Sequence, residues 1–518
     1  MNEEIEEYYE ELYRLYIDEN QPLERRYRQL RESLERVVRE KIQGNSLQTT
    51  DLAARINYVA TQYGLDLKEQ NQLHTFRLTS NDILNHRKSP VKEEFLRDLR
   101  AVAYAYRKMF AQDIPLKLFS VLPKQEIASS GKKEKMEYIR RIRVCFDYAD
   151  DTYLYVHPVD VIADELIRVV YNKPGINHEF EETIKELWRY AQLNLLDVSV
   201  DRDGIYTPSF IVLEPDYLID ISSLAECYKD YGSHPANYFL SRLVPIDNAR
   251  PLLLGNIANL FLDEWIHAGE EEPDYIDCMK KAFRQYPIEL AACAELRDPS
   301  KEKEFAKDCR MHFEHIRDVV QHTFLEPGYN LDKKEAVLEP SYICEALGIQ
   351  GRLDYMQRDM SSFIEMKSGK ADEFSMQGKV EPKENNKVQM LLYMAVLEYS
   401  MGQDRRRMHP YLLYTRYPLL YPARASWAQV RRVINLRNRI VAAEYGVQFH
   451  NHPDFTRNLL AQINPEVVNE RKLSGRFWEQ YLKPSISRFR EKLSALEPLE
   501  QAYFYTLYNF ITKELYTS

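Results

Sequence analysis

The sequence predicts an α/β protein with large helical additions, and three observations carry that reading. Long stretches repeat apolar residues at intervals of three and four, whereas two other regions hold short apolar or alternating runs bounded by turn-forming residues. Glycine is scarce, 16 residues against 37 tyrosines, which favours packed helices over glycine-rich loops. Hydrophobic residues make up 44% of the chain and charged residues 29%, the balance of a globular rather than a disordered protein. At 518 residues the chain has room for more than one core.

Residues 1–120 form a helical N-terminal region. Leu23, Tyr27, Leu30, Leu34, Val37 and Val38 make a stripe at helical spacing with charges opposite, too short for a sustained coiled coil and so expected to pack on the rest of the chain. Residues 128–135 are polar and read as a boundary loop. Residues 121–215 form a small α/β unit, with strands over 138–146 and 152–156 around a turn at 147–151, a helix over 180–194, and further strands including 209–213.

Residues 216–470 are the largest unit. Its first part, 222–325, is mostly helical, with Ser222 or Ser223 as N-cap and amphipathic runs over 251–266 and 305–322. Strands follow over 336–338, 348–356 and 362–366, then a helix over 387–400, a strand over 411–414 and a helix over 427–445. Residues 471–518 are a C-terminal helical extension. The longest apolar runs fall far short of a membrane span. The acidic start lacks the basic head and apolar core of a signal peptide, and six scattered cysteines fit reduced thiols, so the expected location is cytoplasmic, with no membrane partner.

The chemistry concentrates between Gly351 and Tyr393. Asp354 closes one short strand, and Glu365 and Lys367 sit two apart on another, so their side chains share a face. Two carboxylates and a lysine on one surface suit metal-assisted phosphodiester hydrolysis, because oxygen ligands hold Mg²⁺ or Mn²⁺ while a cation meets developing negative charge. Gln389 and Tyr393 lie one turn apart on the following helix. Net charge is −10, which argues mildly against nucleic acid, yet between Asp404 and Arg439 nine arginines face the single acid Asp404, with tyrosines and Trp427 interleaved. Arginines and aromatics together are how single strands are commonly gripped, and Lys370, Arg416, Arg424 and Arg437 are the candidate phosphate contacts.

The order Gly351-x-x-Asp354, Glu365-x-Lys367, Gln389-x-x-x-Tyr393 resembles the PD-(D/E)XK nucleases of the RecB type. Residues 213–226, with Pro215-Asp216-Tyr217-Leu218, and Arg437-Asn438 within a helix are similar to segments of the nuclease domain of replication and repair nuclease-helicases. The resemblance covers residues 210–445. It implies a restriction-endonuclease-like αβββαβ core and a metal-dependent deoxyribonuclease acting on single-stranded or flapped DNA in repair, replication or defence. Catalytic roles fall on Asp354, Glu365, Lys367, Gln389 and Tyr393, with metal ligands from Asp354, Glu365, the main-chain oxygen of Met366, and Asn259. Lys367 would position or activate the attacking water; Gln389 and Tyr393 would orient Lys367 or the scissile phosphate. Glu339 is a further carboxylate, placed near the site or on the surface.

Two departures stand out. The family branch carries a four-cysteine iron-sulfur site, but no cysteine pair here has Cys-x-x-Cys spacing and none lies beyond Cys344, so no iron-sulfur cluster is expected. The usual ligand histidine is replaced in Gly255-Asn256-Ile257-Ala258-Asn259 by Asn259, either a neutral ligand or a structural amide, with Asp263 or Glu264 able to compensate. No phosphate-cradling Gly-x-x-x-x-Gly-Lys motif occurs, although residues 502–514 resemble the helix joining nuclease to helicase, which makes a helicase domain or subunit an expected partner. Two rival classes are a DNA-binding scaffold with a degenerate nuclease site and a helical interaction protein unrelated to nucleic acid.

Overall fold

The computed structural model describes residues 3–18, 20–42, 52–123, 138–160, 163, 165–201, 203–243, 250–329, 331–374, 379–424, 426–450 and 452–517. The boundary loop expected at 128–135 lies outside the described residues. The protein is mixed α/β with several small sheets, in two compact units, Met1–Glu214 and Pro215–Ser518. Among the described residues no helix is long and apolar enough to cross a membrane.

The first unit begins with helices α1 (Glu3–Ile17), α2 (Leu23–Ile42), α3 (Leu52–Gln62), α4 (Leu67–Leu84), α5 (Lys92–Phe110) and α6 (Leu116–Phe119). The α2 stripe is their spine: Tyr27, Leu30, Leu34, Val37 and Val38 are fully buried against Leu73 and Phe76 of α4 and Phe95, Leu99 and Tyr106 of α5. Helix α4 starts at a capping box in which Asp66 and Glu69 each accept the other's backbone N–H, at 2.8 and 2.9 Å. Buried Arg26 donates to the carbonyls of Leu15 (2.6 Å) and Tyr16 (3.1 Å), satisfying the end of α1.

Two buried titratable groups in this bundle oppose each other. His74 donates to Asn57 Oδ1 at 2.7 Å, and burial lowers its pKa to about 3. Its folded pKa lies below the ordinary value, so the unfolded chain binds more protons and His74 withdraws stability as pH falls below about 6.5. Burial raises Asp98 to about 6, outweighing its partner Arg97. That group adds stability at low pH and loses it as pH rises through about 6. The two nearly cancel between pH 7 and 4, whereas His74→Gln leaves Asp98 unopposed and should gain roughly 2–3 kcal/mol over that range. Urea unfolding at pH 7, 5.5 and 4 checks this; a variant that tracks wild type contradicts it.

Strands β1 (Tyr138–Ala149), β2 (Tyr153–Pro158) and β3 (Ile167–Val170), helix α7 (Glu181–Lys185), and strands β4 (Gln192–Val200), β5 (Tyr206–Thr207) and β6 (Phe210–Leu213) complete the unit. The long β1 pairs with β2 through its C-terminal half and with β4 through its N-terminal half. The helix expected over 180–194 stops at Lys185. From Gln192 the chain is drawn into β4, where Leu193, Leu195 and Leu196 are fully buried, so tertiary pairing overrides the local helical pattern.

In the second unit β7 (Ile219–Asp220) leads into α8 (Ile221–Glu226), α9 (Ala236–Leu243), α10 (Arg250–His267), α11 (Tyr275–Gln285), α12 (Pro287–Ala292) and α13 (Pro299–Gln321). Helix α8 begins one residue before the expected serine cap. Asp220 takes the N-cap position without a side-chain cap bond, because its carboxylate accepts from Gln350 Nε2 at 3.0 Å. Then come β8 (Ala336–Leu338), β9 (Ser341–Cys344), β10 (Ile349–Arg352), β11 (Tyr355–Gln357), β12 (Ser362–Lys367), β13 (Asp372–Phe374), β14 (Lys379–Glu381), α14 (Glu384–Met401), β15 (His409–Tyr414) and β16 (Leu419–Pro422). Helices α15 (Trp427–His450), α16 (Pro453–Ala461), α17 (Pro465–Val468), α18 (Lys483–Ser494) and α19 (Pro498–Thr517) follow.

A five-stranded sheet, β16-β15-β12-β11-β8, is the frame of this unit, with β12 and β15 parallel and joined through α14. Ile364 and Met366 of β12 and Tyr411 and Leu413 of β15 pack into one cluster with Ile257 and Phe261 of α10 and Ile316 and Val320 of α13. Alternation therefore sends Glu365 and Lys367 to the opposite face. The strand expected over 348–356 is in fact two strands in different sheets: β10 joins β7 and β9, β11 joins β8 and β12. Leu353 donates to Pro340 O at 3.1 Å where the chain changes sheet, and Asp354 sits in that break.

Candidate active site

Asp354 is fixed by the break and by one bond across it: its Oδ2 accepts from the backbone N–H of Met366 at 2.6 Å. Glu365, whose side chain is 5% exposed, accepts from Lys367 Nζ at 2.9 Å and from Gln389 Nε2 at 2.6 Å, both at Oε1. Tyr393, one turn beyond Gln389 on α14, donates to the carbonyl of Arg352 at 2.6 Å and so holds the end of β10 that leads to Asp354. The structure thus gathers Asp354, Glu365, Met366, Lys367, Gln389 and Tyr393. Gln389 orients Glu365 rather than Lys367, and Tyr393 orients the backbone before Asp354.

The second oxygen of Glu365, Oε2, is buried with no hydrogen-bond partner among the described residues. Such an orphan acceptor costs free energy unless something electropositive meets it. Burial raises both carboxyls above their ordinary values, and repulsion from Asp354 adds to it at Glu365, against the pull of Lys367. For Lys367, burial favours the neutral form, but Glu365, Asp354 and Glu226 outweigh it and hold the amine above its ordinary value. Two carboxyls buried this close are therefore hard to ionise together unless a further cation meets them.

Sequence reasoning missed Glu226 at the end of α8. It accepts from Lys229 at 2.9 Å and Asn385 at 3.3 Å, and its field reaches Lys367. No local pattern signals this, because packing of α8 on α14 creates the proximity. Glu339 has an unusual φ of 48°, donates its N–H to Asp354 O at 3.1 Å and pairs with Arg352 at 3.1 Å.

Asn259 lies half-buried on α10, the helix that covers the other face of β12, and no hydrogen bond among the described residues links it to Asp354 or Glu365. Helix α10 does pass close to the end of β12, where a Cβ on Gly255 would lie 3.3 Å from Ser368 Oγ. Asp263, one turn beyond Asn259, is raised to about 6 by burial and by the fields of Glu339 and Asp354. Glu264 is engaged by Lys281 at 2.5 Å.

The basic residues divide. Lys370 and Arg424 are exposed and Arg416 half-buried at the end of β15. The expectation that Arg437 meets nucleic acid is corrected: it is fully buried, donating to Gly348 O at 3.1 Å, to Asn438 Oδ1 at 3.2 Å and to Tyr217 O. Its guanidinium pins the start of β7 and β10 to α15. Arg431 is buried as well, Arg406 is paired with Asp404, and Arg405 lies over the Trp427 ring at 4.8 Å. Tyr411 and Tyr414 belong to the core rather than to a stacking surface.

Among the described residues no group of three or more His, Cys, Asp and Glu is arranged to hold a metal ion, and the six cysteines are buried and form no disulfide. The two carboxylates Asp354 and Glu365 still fit a magnesium-class ion, which is commonly bound through one or two carboxylates, with water and substrate phosphate completing its shell. The orphan oxygen of Glu365 is the observation that favours the fit. No protein-family model matches the chain, and no curated protein matches it in sequence.

Proposed function

We propose that the second unit is a metal-dependent nuclease of the PD-(D/E)XK type that hydrolyses phosphodiester bonds in single-stranded or flapped DNA. What supports this most is the buried Asp354–Glu365 pair beside Lys367, with Glu365 Oε2 unpartnered. Burying two repelling carboxylates serves no packing purpose; it makes sense as a cation-binding device. The fold reading, a restriction-endonuclease-like core, is supported by the order α8, β10, β11, β12, α14, β15, with the parallel β12–β15 pair joined through a buried helix.

Asp354, Glu365 and the Met366 carbonyl would hold Mg²⁺ or Mn²⁺. Such an ion, when bound, supplies Lewis-acid stabilisation of charge on the phosphoryl oxygens. Lys367 donates to the scissile phosphate and orients the attacking water, its ammonium held in place by Glu365. Gln389 fixes the Glu365 carboxylate, and Tyr393 fixes the backbone that presents Asp354. Lys370, Arg416 and Arg424 contact neighbouring phosphates and set the salt dependence of binding.

Asp263, one turn beyond Asn259 on α10, lies within the field of Asp354, whereas Asn259 carries no charge to offer a cation. Asp263→Ala should raise the metal concentration for half-maximal cleavage by about 10-fold or more, as loss of a supporting group around a metal does, with Asn259→Ala changing it less than about threefold. Equal effects, or the reverse order, would overturn that assignment. The function itself is tested with labelled single-stranded and flapped DNA in Mg²⁺, Mn²⁺ or chelator. Metal-dependent cutting lost in Asp354→Ala supports the nuclease; DNA bound but uncut in every metal gives the scaffold reading its place.

A further inference from the structure

Five strands of the first unit close on themselves. β1 pairs with both β2 and β4, β3 links β2 to β5, and β5 returns to β4. Only the β3–β5 pair is parallel within this ring, and α7 lies between β3 and β4 in the chain. This order, 1-2-3-5-4-1 with a helix after the third strand, matches the OB-fold, a barrel whose strands 2 and 3 and adjoining loops bind oligonucleotides or oligosaccharides. Topology supplies an analogy only; the side chains on that face carry the chemistry.

Register places them. Tyr148 is the cross-strand partner of Tyr155, and Tyr155 of Arg168, so the three share a face, with Tyr153 two residues from Tyr155 on the same side. A register shift in β1 between Phe146 and Tyr148 brings Tyr148 into line. Tyr148 is 50% exposed, and its ring stacks on Tyr155 at 4.3 Å and 12°. Tyr153 stands edge-on to Tyr155 at 6.4 Å, and the Arg168 guanidinium lies 5.8 Å from the Tyr153 ring. The β1–β2 loop holds the group through Asp150, which accepts the Tyr155 hydroxyl at 3.0 Å. The β4–β5 loop holds it through Asp203 O, which accepts from Arg168 at 3.2 Å.

Tyr155 is ordered by its hydroxyl bond and is half-buried with Tyr153, while Tyr148 and Arg168 are exposed, so one side of the group faces solvent. Asp150, the acid nearest them, already accepts from the backbone N–H groups of Thr152 and Tyr153 besides the Tyr155 hydroxyl, which leaves little for sugar hydroxyls. Flat rings beside one guanidinium suit bases and phosphate better. We propose that Tyr148, Tyr153 and Tyr155, with Arg168, form a stacking platform for unpaired bases of a single-stranded nucleic acid. It stands apart from the nuclease reading, since it needs neither metal nor cleavage.

The test uses the full chain in chelator, with fluorescein-labelled oligo-dT and oligo-U followed by anisotropy. The Tyr148→Ala/Tyr155→Ala double variant should bind about 10–100-fold more weakly, and Tyr155→Phe, which keeps the ring, within about twofold of wild type. Arg168→Ala should reduce the slope of log affinity against log salt by about 0.7. In the wild-type chain, oligonucleotides carrying 5-iodouracil should photocrosslink to these tyrosines, a readout that needs no variant to fold. Unchanged affinity in the double variant with crosslinks only elsewhere, or binding of oligosaccharide in place of either oligonucleotide, would overturn the proposal.

Discussion

Alanine at Lys367 should lower the rate of Mg²⁺-dependent DNA cleavage by about 10³-fold or more, equivalent to roughly 4 kcal/mol of transition-state stabilisation. The size follows from the surroundings of the amine. Its Nζ lies 2.9 Å from Glu365 Oε1 and within the fields of Asp354 and Glu226, so it is the cation that balances an otherwise acidic pocket. A charge held in place before the reaction costs no reorganisation as negative charge builds on phosphate. DNA affinity should change much less, because Lys370, Arg416 and Arg424 lie outside the carboxylate pair. Single-turnover cleavage with saturating enzyme separates the two quantities. A Lys367→Ala variant that cuts within about tenfold of wild type would remove the lysine from the mechanism.

The second large effect concerns stability. Arg437→Ala should destabilise the second unit by about 3–5 kcal/mol, since it strips hydrogen bonds from one buried and one part-buried carbonyl and leaves a cavity where a large, fully buried side chain stood. The guanidinium is the common partner of Gly348 and Tyr217, whose following strands β10 and β7 run parallel. Gly348 is fitted to it: its φ is 64°, and a Cβ there would overlap the guanidinium. Lysine cannot serve in place of arginine, because one ammonium does not reproduce the fork of donors. The unfolding midpoint should fall by about 10 °C, with the salt slope of DNA binding unchanged. A stable Arg437→Ala chain with a reduced salt slope would restore the residue to the nucleic-acid surface.

That reversal marks the boundary of what the sequence discloses. Leu436-Arg437-Asn438-Arg439 reads locally as a basic turn of helix, and only carbonyls 89 and 220 residues away make Arg437 a core residue. By contrast the shared face of Glu365 and Lys367 follows from strand geometry alone, and the α2 stripe from helical spacing. The strand break at Leu353-Asp354 was hidden because polar and apolar residues keep alternating through it, from Ile349-Gln350 to Asp354-Tyr355, and a switch between two sheets has no period. In the first unit β3 and β5 span four and two residues, too short to show alternation, so barrel closure became visible only through pairing. Glu226 comes near Lys367 through the packing of α8 on α14, which leaves no mark at its own position, whereas Asp263 could be named from its helical spacing to Asn259.

The central claim is that a buried, mutually repelling carboxylate pair is kept at a cost in stability because it serves cleavage. The most direct measurement is therefore the cleavage rate and the unfolding midpoint of wild type and Asp354→Asn on the same samples. Asparagine can still accept the Met366 N–H while removing one of the two repelling carboxyls. Wild type should cut in the presence of metal, the variant should not, and its midpoint should be unchanged or raised by a gain of about 1 kcal/mol. A wild type that leaves DNA intact in Mg²⁺ and Mn²⁺, or an Asp354→Asn variant that cuts at the wild-type rate, would contradict the claim.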